Sequence, residues 1–279
     1  MSQTLPAAPP PDAIAGTVLS ALADVRQIAP VTAAAPGFDL PAAYRVADAV
    51  RRQREARGER VVGRKIGFTN RTIWDEYGVH APMWGYVYDT TLRSADHLGR
   101  PLPIGHLVEP RIEPEIMFGI GAVPHKDMDD DELMGCMAWV AHGFEIVQSL
   151  FPGWKFRAAD TVAAFGLHGA LAVGRPTPIT PATAADWIER LVGFDVTLLR
   201  NGLEMDHGNS VHVLGGGPLS AVRHLLHVLA EDPDALPLAV GEVVSTGTLT
   251  RALPVTPGET WSTRLEDVPL PGMTLALTR

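Results

Sequence analysis

The stretch Arg111-Ile112-Glu113-Pro114-Glu115-Ile116-Met117-Phe118 sets two carboxylates two residues apart inside an apolar run. In a strand, alternate side chains share a face, so Glu113, Glu115 and Met117 project one way while Ile112, Pro114, Ile116 and Phe118 project the other. Two carboxylates held about 4 Å apart repel by roughly 4 kcal/mol at an effective dielectric near 20. Water on an exposed edge strand screens that repulsion, and Pro114, with no N–H to give a ladder, suits such an edge. A bound cation screens it too, and that reading requires a third ligand. The run Ala141-His142-Gly143-Phe144-Glu145-Ile146-Val147 supplies one, since it is strand-like and leaves Glu145 among apolar residues without an adjacent basic partner. A helix and a turn after Glu115 would bring this strand beside the first, joining three hard oxygen donors. Three carboxylates without cysteine fit Mg²⁺ or Mn²⁺ better than Zn²⁺ and leave positions open for water and substrate.

A proton-transfer group is the next requirement. Only three of the 23 basic residues are lysine: Lys65, Lys126 and Lys155. Lysine, unlike arginine, can lose its proton. Lys65 lies in Val61-Val62-Gly63-Arg64-Lys65-Ile66-Gly67, a short strand with the lysine between two glycines, where backbone can approach a ligand closely. A cation beside it would lower its pKa toward neutrality and make it a proton shuttle; otherwise it is an ordinary lysine at a turn. His80, among Trp74, Tyr77, Trp84, Tyr86 and Tyr88, is the next candidate, with hydrogen-bonded filler as its plainer role.

Composition narrows the partners. A net charge of −9 with no long basic cluster argues against a nucleic-acid or anionic-membrane surface. No apolar run reaches the length of a membrane span, and the start of the chain has no positive region leading into an apolar core and cleavage site, so cytoplasmic residence is expected. The single cysteine, Cys136, has no internal disulfide partner and reads as core filler. No G-x-G-x-x-G on a strand-turn-helix unit, P-loop, G-x-S-x-G or H-E-x-x-H occurs.

The positioning elements follow from local pattern. Residues 1–12 read as a disordered tail, 13–60 as an N-terminal helical arm and 61–279 as the metal-binding catalytic domain. The arm holds a helix from Ala13 to about Gln27 and a second one opened by Asp39 as N-cap with Pro41 in its first turn. Asp127 to Val140 reads as a helix, Val162 to Val173 as an apolar strand region, and Asn201-Gly202 as a hairpin turn. Leu214-Gly215-Gly216-Gly217-Pro218 introduces a helix to about Ala230, and short β-like runs from Gly241 to Gly258 suggest a rolled sheet.

Taken together, Gly63-Arg64-Lys65-Ile66-Gly67, Glu113-x-Glu115, Phe144-Glu145, Asp160-Thr161, Leu214 to Pro218 and Ser245-Thr246-Gly247-Thr248 resemble the hydratase/decarboxylase branch of the fumarylacetoacetate hydrolase family over about residues 25–279. The resemblance implies an α+β fold, a mixed β-sandwich roll with peripheral helices and an N-terminal helical arm. It also implies a divalent metal, Mg²⁺ or Mn²⁺, a homo-oligomer and a small 2-oxo or 2-hydroxydienoic acid as substrate. By match of motif, Glu113, Glu115 and Glu145 are the metal ligands and Lys65 the proton-transfer residue, with Arg157, Asp160 and Thr248 near the substrate. The activity implied is hydration of a 2-hydroxy-2,4-dienoate; the alternatives are decarboxylation of a 4-oxalocrotonate-type acid, C–C hydrolysis of an acylpyruvate, or a non-catalytic partner subunit. Two departures bear on selectivity. His80-Ala81-Pro82-Met83-Trp84 and Ala164-Phe165 stand where hydratases carry acids and an amide, which predicts an apolar wall that includes Trp84 and Phe165 against the substrate's tail.

Overall fold

The computed structural model describes residues 8–97 and 99–279. The larger of its two sheets is built from β1 (Val61–Gly67), β2 (Met83–Tyr88), β3 (Leu92–Arg93), β5 (Arg111–Ile120), β6 (Met137–Val147), β7 (His168–Val173), β8 (Thr177–Pro178), β11 (Val243–Thr248) and β12 (Leu253–Pro254). The smaller contains β4 (Leu102–Pro103), β9 (Asp195–Arg200), β10 (Leu203–Asn209), β13 (Thr260–Glu266) and β14 (Thr274–Thr278). Strand order is β2-β1-β11-β5-β6-β7-β3 in the first, with β12 on β5 and β8 on β6, and β10-β9-β13-β14-β4 in the second. Among the described residues β1–β11, β3–β7 and β4–β14 run parallel and the other pairs antiparallel, so both sheets are mixed, as the α+β reading expects.

The pleat gives the large sheet two different faces. One carries Ile66, Trp84, Tyr86, Ile116, Phe118, Val140 and Val244, packed against α5 (Asp130–Gly135), α7 (Ala184–Arg190) and α8 (Pro218–Glu231). Further along the β5–β6–β7 segment, Ile112, Phe144, Ile146 and Ala170 meet Leu198, Trp261 and Leu275 of the small sheet. The opposite face carries Lys65, Glu113, Glu115 and Glu145, whose registers place them at alternate positions to those core residues.

The arm consists of α1 (Pro11–Ala23), α2 (Val31–Ala34) and α3 (Leu40–Glu55), and Asp39 caps α3 by accepting the Ala42 amide at 3.0 Å. Its apolar faces share one core with Val79, Met83, Val162 and Phe165, so the arm is packed onto the sheet-bearing part of the chain. Of the twelve residues expected as a disordered tail, 1–7 lie outside the described residues; Pro11 and Asp12 are already the first turn of α1, where proline's fixed φ fits. No helix among the described residues is long and apolar enough to cross a membrane.

Two segments differ from their expected form. The helix expected over 127–140 stops at Gly135, and β6 begins at Met137, because Trp139 and Val140 pair with Gly119 and Phe118 of β5. The expected strand over 162–173 begins only at His168; before it come α6 (Ala158–Ala163) and a tight turn at Phe165–Leu167. Phe165, Gly166 and Leu167 have φ of 49°, 65° and 63°, three successive left-handed residues that no strand accommodates. Asn201 and Gly202 also have positive φ, 50° and 81°, and form the β9–β10 hairpin as their types require.

Candidate metal and catalytic site

Glu113 and Glu145 are register partners across β5 and β6, and Glu115 stands opposite Gly143 two positions along. All three are buried, and one oxygen from each lies within 4.8 Å of the others. A solvated edge strand is therefore the wrong description of β5, which has β11 and β12 on one side and β6 on the other. Glu115 Oε2 accepts from the Ser245 hydroxyl and, at 2.9 Å, from the Gly247 amide. A register shift in β11 between Ser245 and Thr248 turns both donors toward it. Gly247 takes φ +94° there, and a Cβ would fall 1.9 Å from Thr69 Oγ1, so only glycine fits.

Lys65 reaches the cluster from β1. Its Nζ donates to the Gly166 carbonyl at 2.9 Å and lies 3.3 Å from Glu145 Oε2, a charge contact without hydrogen-bond alignment. The left-handed turn at Phe165–Leu167 presents that carbonyl, and a Cβ at Gly67 would sit 3.0 Å from Nζ. The other oxygen of Glu145 accepts from His168 Nδ1 at 2.7 Å, and His168 Nε2 contacts Thr91 Oγ1 at 2.8 Å.

The electrostatics follow from burial and crowding. Burial pushes Glu113 up to about 7 despite Lys65, and burial with the charges of Glu145 and Glu113 holds Glu115 well above the ordinary carboxylate range. For Glu145 burial acts the same way, but Lys65 and the His168 hydrogen bond outweigh it and hold its pKa down. Burial alone would lower Lys65, yet Glu145, Glu113 and Glu115 together raise it above the usual lysine value. Without a cation, three carboxylates stabilise the ammonium; the lowering expected of Lys65 belongs to the ion-loaded site. His168 is pushed down by burial, which favours the neutral ring donating Nδ1–H to Glu145.

The donor set fits a divalent cation. Glu115 Oε1 and Glu145 Oε2 are buried without hydrogen-bond partners, as ligand oxygens reserved for a hard ion would be. Beside Lys65 and Glu113 opens a cavity of about 20 Å³ bordered by Phe68, Tyr77, Trp154 and Leu167. Larger clefts, of about 260 and 490 Å³, lie elsewhere on the surface and include none of the four charged groups; chemistry rather than volume marks the site.

The remaining expected site residues are not gathered here. Trp84 pairs with Ile66, not Lys65, so the pleat sends it to the opposite face, where it stacks on Tyr44 at 5.3 Å. Phe165 is buried in the core shared with the arm, and only its turn contributes to the site. His80 is exposed against the edge of Trp74. Arg157 is exposed as well, and Asp160 spends both oxygens on Thr32 of the arm (3.0 and 2.6 Å) and the Arg157 amide (2.9 Å). Thr248 pairs with Glu115 across the ladder, but its hydroxyl donates to the Thr250 carbonyl at 2.9 Å. Sequence reasoning missed His168, Phe68 and Trp154, and Tyr77 appeared only as one of the aromatics around His80. For His168 the signal was present, since a polar residue heading an apolar strand is the same clue that exposed Glu145.

Fold and site together define a rolled mixed-sheet protein with a carboxylate triad suited to a divalent cation and a lysine set against it. No family model matches the chain. Individual relatives do: it is 31% identical over 255 residues to 2-hydroxyhexa-2,4-dienoate hydratase of Comamonas testosteroni, covering 88% of this chain and 90% of the relative. It is also 31% identical over 255 residues to 4-oxalocrotonate decarboxylase of Pseudomonas sp. (strain CF600), covering 91% and 92%. Among solved structures, 4-oxalocrotonate decarboxylase from Pseudomonas putida G7, complexed with magnesium and adipate, superposes with a TM-score of 0.85 at 27% identity over 96% of this chain and 97% of that one. The chain belongs to the hydratase/decarboxylase branch of the fumarylacetoacetate hydrolase family.

Proposed function

We propose that the chain adds water to a 2-hydroxy-2,4-dienoate to give a 4-hydroxy-2-oxo acid, as a hydro-lyase that depends on Mg²⁺ or Mn²⁺. The observation that carries this reading is Lys65 Nζ at 3.3 Å from Glu145 within the carboxylate triad, a proton donor beside an ion site. Glu113, Glu115 and Glu145 would hold the ion. When bound, it supplies Lewis acidity to the substrate's carboxylate and adjacent oxygen. Lys65 shuttles one proton: Nζ delivers it to the terminal carbon of the dienol and is reprotonated by the departing 2-hydroxyl proton, giving a 2-oxo-3-enoate. Water then adds across the double bond, its hydroxyl at C4 and its remaining proton at C3. Gly166 fixes Nζ through its carbonyl, and the apolar border of Phe68, Tyr77 and Trp154 limits the water that reaches it. A cavity of about 20 Å³ holds one water, so side chains at that border must shift when a five-carbon acid enters.

Decarboxylation of a 4-oxalocrotonate-type acid is the second reading, favoured by the relative and the solved structure of that name. The two separate in one experiment: the protein is offered both acids with Mg²⁺, following the dienol absorbance, the product by NMR, and released carbon dioxide. Formation of the 4-hydroxy-2-oxo acid is the expected result. Carbon dioxide release without hydration would assign the decarboxylase instead, and pyruvate release from an acylpyruvate would assign the hydrolase. Homo-oligomerisation and a cytoplasmic setting belong to the same proposal, carried by the family resemblance; light scattering on the purified protein checks the first.

A further inference from the structure

His168 ties one member of the carboxylate triad, Glu145, to a support outside it. Glu145 Oε1 accepts from His168 Nδ1 at 2.7 Å, while Glu145 Oε2 has no hydrogen-bond partner. The ring is buried, and its far nitrogen meets Thr91 Oγ1 at 2.8 Å. Thr91 is itself fixed by the turn it closes: its amide bonds the Tyr88 carbonyl at 2.9 Å, and its carbonyl accepts the Leu171 amide at 2.9 Å. The neighbouring Thr90 hydroxyl contacts Glu59 Oε2 at 2.5 Å, and Glu59 pairs with the buried Arg54 of α3 at 2.6 Å. A continuous set of contacts thus runs from the arm through the Tyr88–Thr91 turn to Glu145.

We propose that His168, oriented by Thr91, is a positioning residue for the ion site: it fixes Glu145 through Oε1 and leaves Oε2 to face the cation. The inference rests on reading Glu145 as a metal ligand and is independent of which reaction follows. A carboxylate with one oxygen held in a 2.7 Å hydrogen bond has lost the freedom to rotate, so the entropy of ordering that ligand is spent on folding rather than on ion binding. Outer contacts of this kind typically change metal affinity by about 10–100-fold when removed.

The test needs no substrate. The metal-free protein is titrated with Mn²⁺, and binding is followed by paramagnetic resonance of the free ion, with the thermal midpoint in EDTA as a folding control. His168→Ala should bind Mn²⁺ about 10–100-fold more weakly with that midpoint little changed. His168→Asn, which keeps an N–H near the Nδ1 position, should recover most of the loss. Thr91→Val should weaken binding several-fold, and Thr91→Ser should not. Mn²⁺ affinity in His168→Ala equal to wild type overturns the proposal, as does equal weakening by Ala and Asn. If His168→Ala does not fold, the Thr91 pair decides, and identical affinities for Val and Ser overturn it. Absence of Mn²⁺ binding by the wild type would overturn the metal reading itself, a result distinct from failure of this inference alone.

Discussion

Glu113 and Glu145 face each other across the β5–β6 ladder, two buried carboxylates in one cross-strand pair. Directly opposed like charges destabilise a sheet. Glu145 answers with Lys65 and His168, whereas for Glu113 burial outweighs the more distant charge of Lys65, its contact with Glu115 and the charge of Arg111, and it rises to about 7. The pair is therefore asymmetric, and its members should respond differently to removal of charge. Glu113→Gln relieves repulsion, so the EDTA-treated variant should melt no lower than wild type while its affinity for Mg²⁺ or Mn²⁺ falls at least tenfold. Glu145→Gln leaves Lys65 without its nearest counter-charge and should lower stability by about 3 kcal/mol as well as metal affinity, as breaking a buried pair does. Calorimetry and metal titration on the two variants check both directions.

The same crowding sets a pH dependence. Glu113 has a folded pKa of about 7, raised chiefly by burial, above its unfolded value near 4.3, and Glu115 is raised in the same direction. The folded state then binds more protons than the unfolded one between those values, so stability falls as pH rises through that window. Glu145, held low, contributes with the opposite sign, but its stabilisation is present above the unfolded pKa and is lost only in more acid solution. The melting temperature of metal-free protein should accordingly drop between about pH 5 and pH 8, and saturating Mg²⁺ should remove most of the drop at the upper end. A melting temperature that climbs steadily over that range in EDTA would contradict the charge assignment.

Lys65→Met should keep metal binding and lose turnover by at least about 100-fold, the lower end of what a positioned general acid contributes. Methionine fills the volume beside the Gly166 carbonyl but carries no proton. The informative measurement is the pair of constants: Mn²⁺ affinity within a few-fold of wild type together with a collapsed kcat. Near-normal turnover would move the proton-transfer role off Lys65, and His80, exposed against Trp74, is not positioned to take it.

How much of this was legible beforehand depended on range. The Glu113/Glu115 alternation, the polar Glu145 in an apolar strand, Asp39 at its cap and the Asn201-Gly202 hairpin are local patterns, and each stands in the structure as its residue types dictate. Trp84 and Phe165 went astray because facing is set by register. Trp84 pairs with Ile66, so one step of pleat separates it from Lys65, and nothing within Met83–Tyr88 reveals its partner strand. Asp160 was expected near the substrate from the match of motif alone; its partners in the fold are the Arg157 amide and Thr32, 128 residues away. The left-handed turn at Phe165–Leu167 was hidden for a different reason, because Phe and Leu rarely adopt positive φ without a surrounding fold that enforces it.

Relocating the wall changes where selectivity is tested but not its sign. The border of the site is made by Phe68, Tyr77 and Trp154, with Phe68 edge-on to Tyr77 at 5.8 Å and Tyr77 against Trp154 at 6.2 Å. Arg111 braces these rings: it donates to the Tyr77 hydroxyl at 2.6 Å and lies 4.3 Å over Trp154. Arg111 and Glu113 share one face of β5, and the rings border the same cavity as Glu113. A substrate held by its carboxylate end at the triad would thus direct its tail toward them. Burial of each added methylene there is worth about 0.8 kcal/mol, so kcat/KM should rise a few-fold per methylene until the border is filled. Trp154→Ala should flatten that series while sparing the shortest substrate, and Trp84→Ala, on the other face, should leave the slope unchanged. Measuring kcat/KM over substrates of increasing tail length in the three proteins checks this, and a slope altered by Trp84→Ala but not by Trp154→Ala would return selectivity to the opposite side of the sheet.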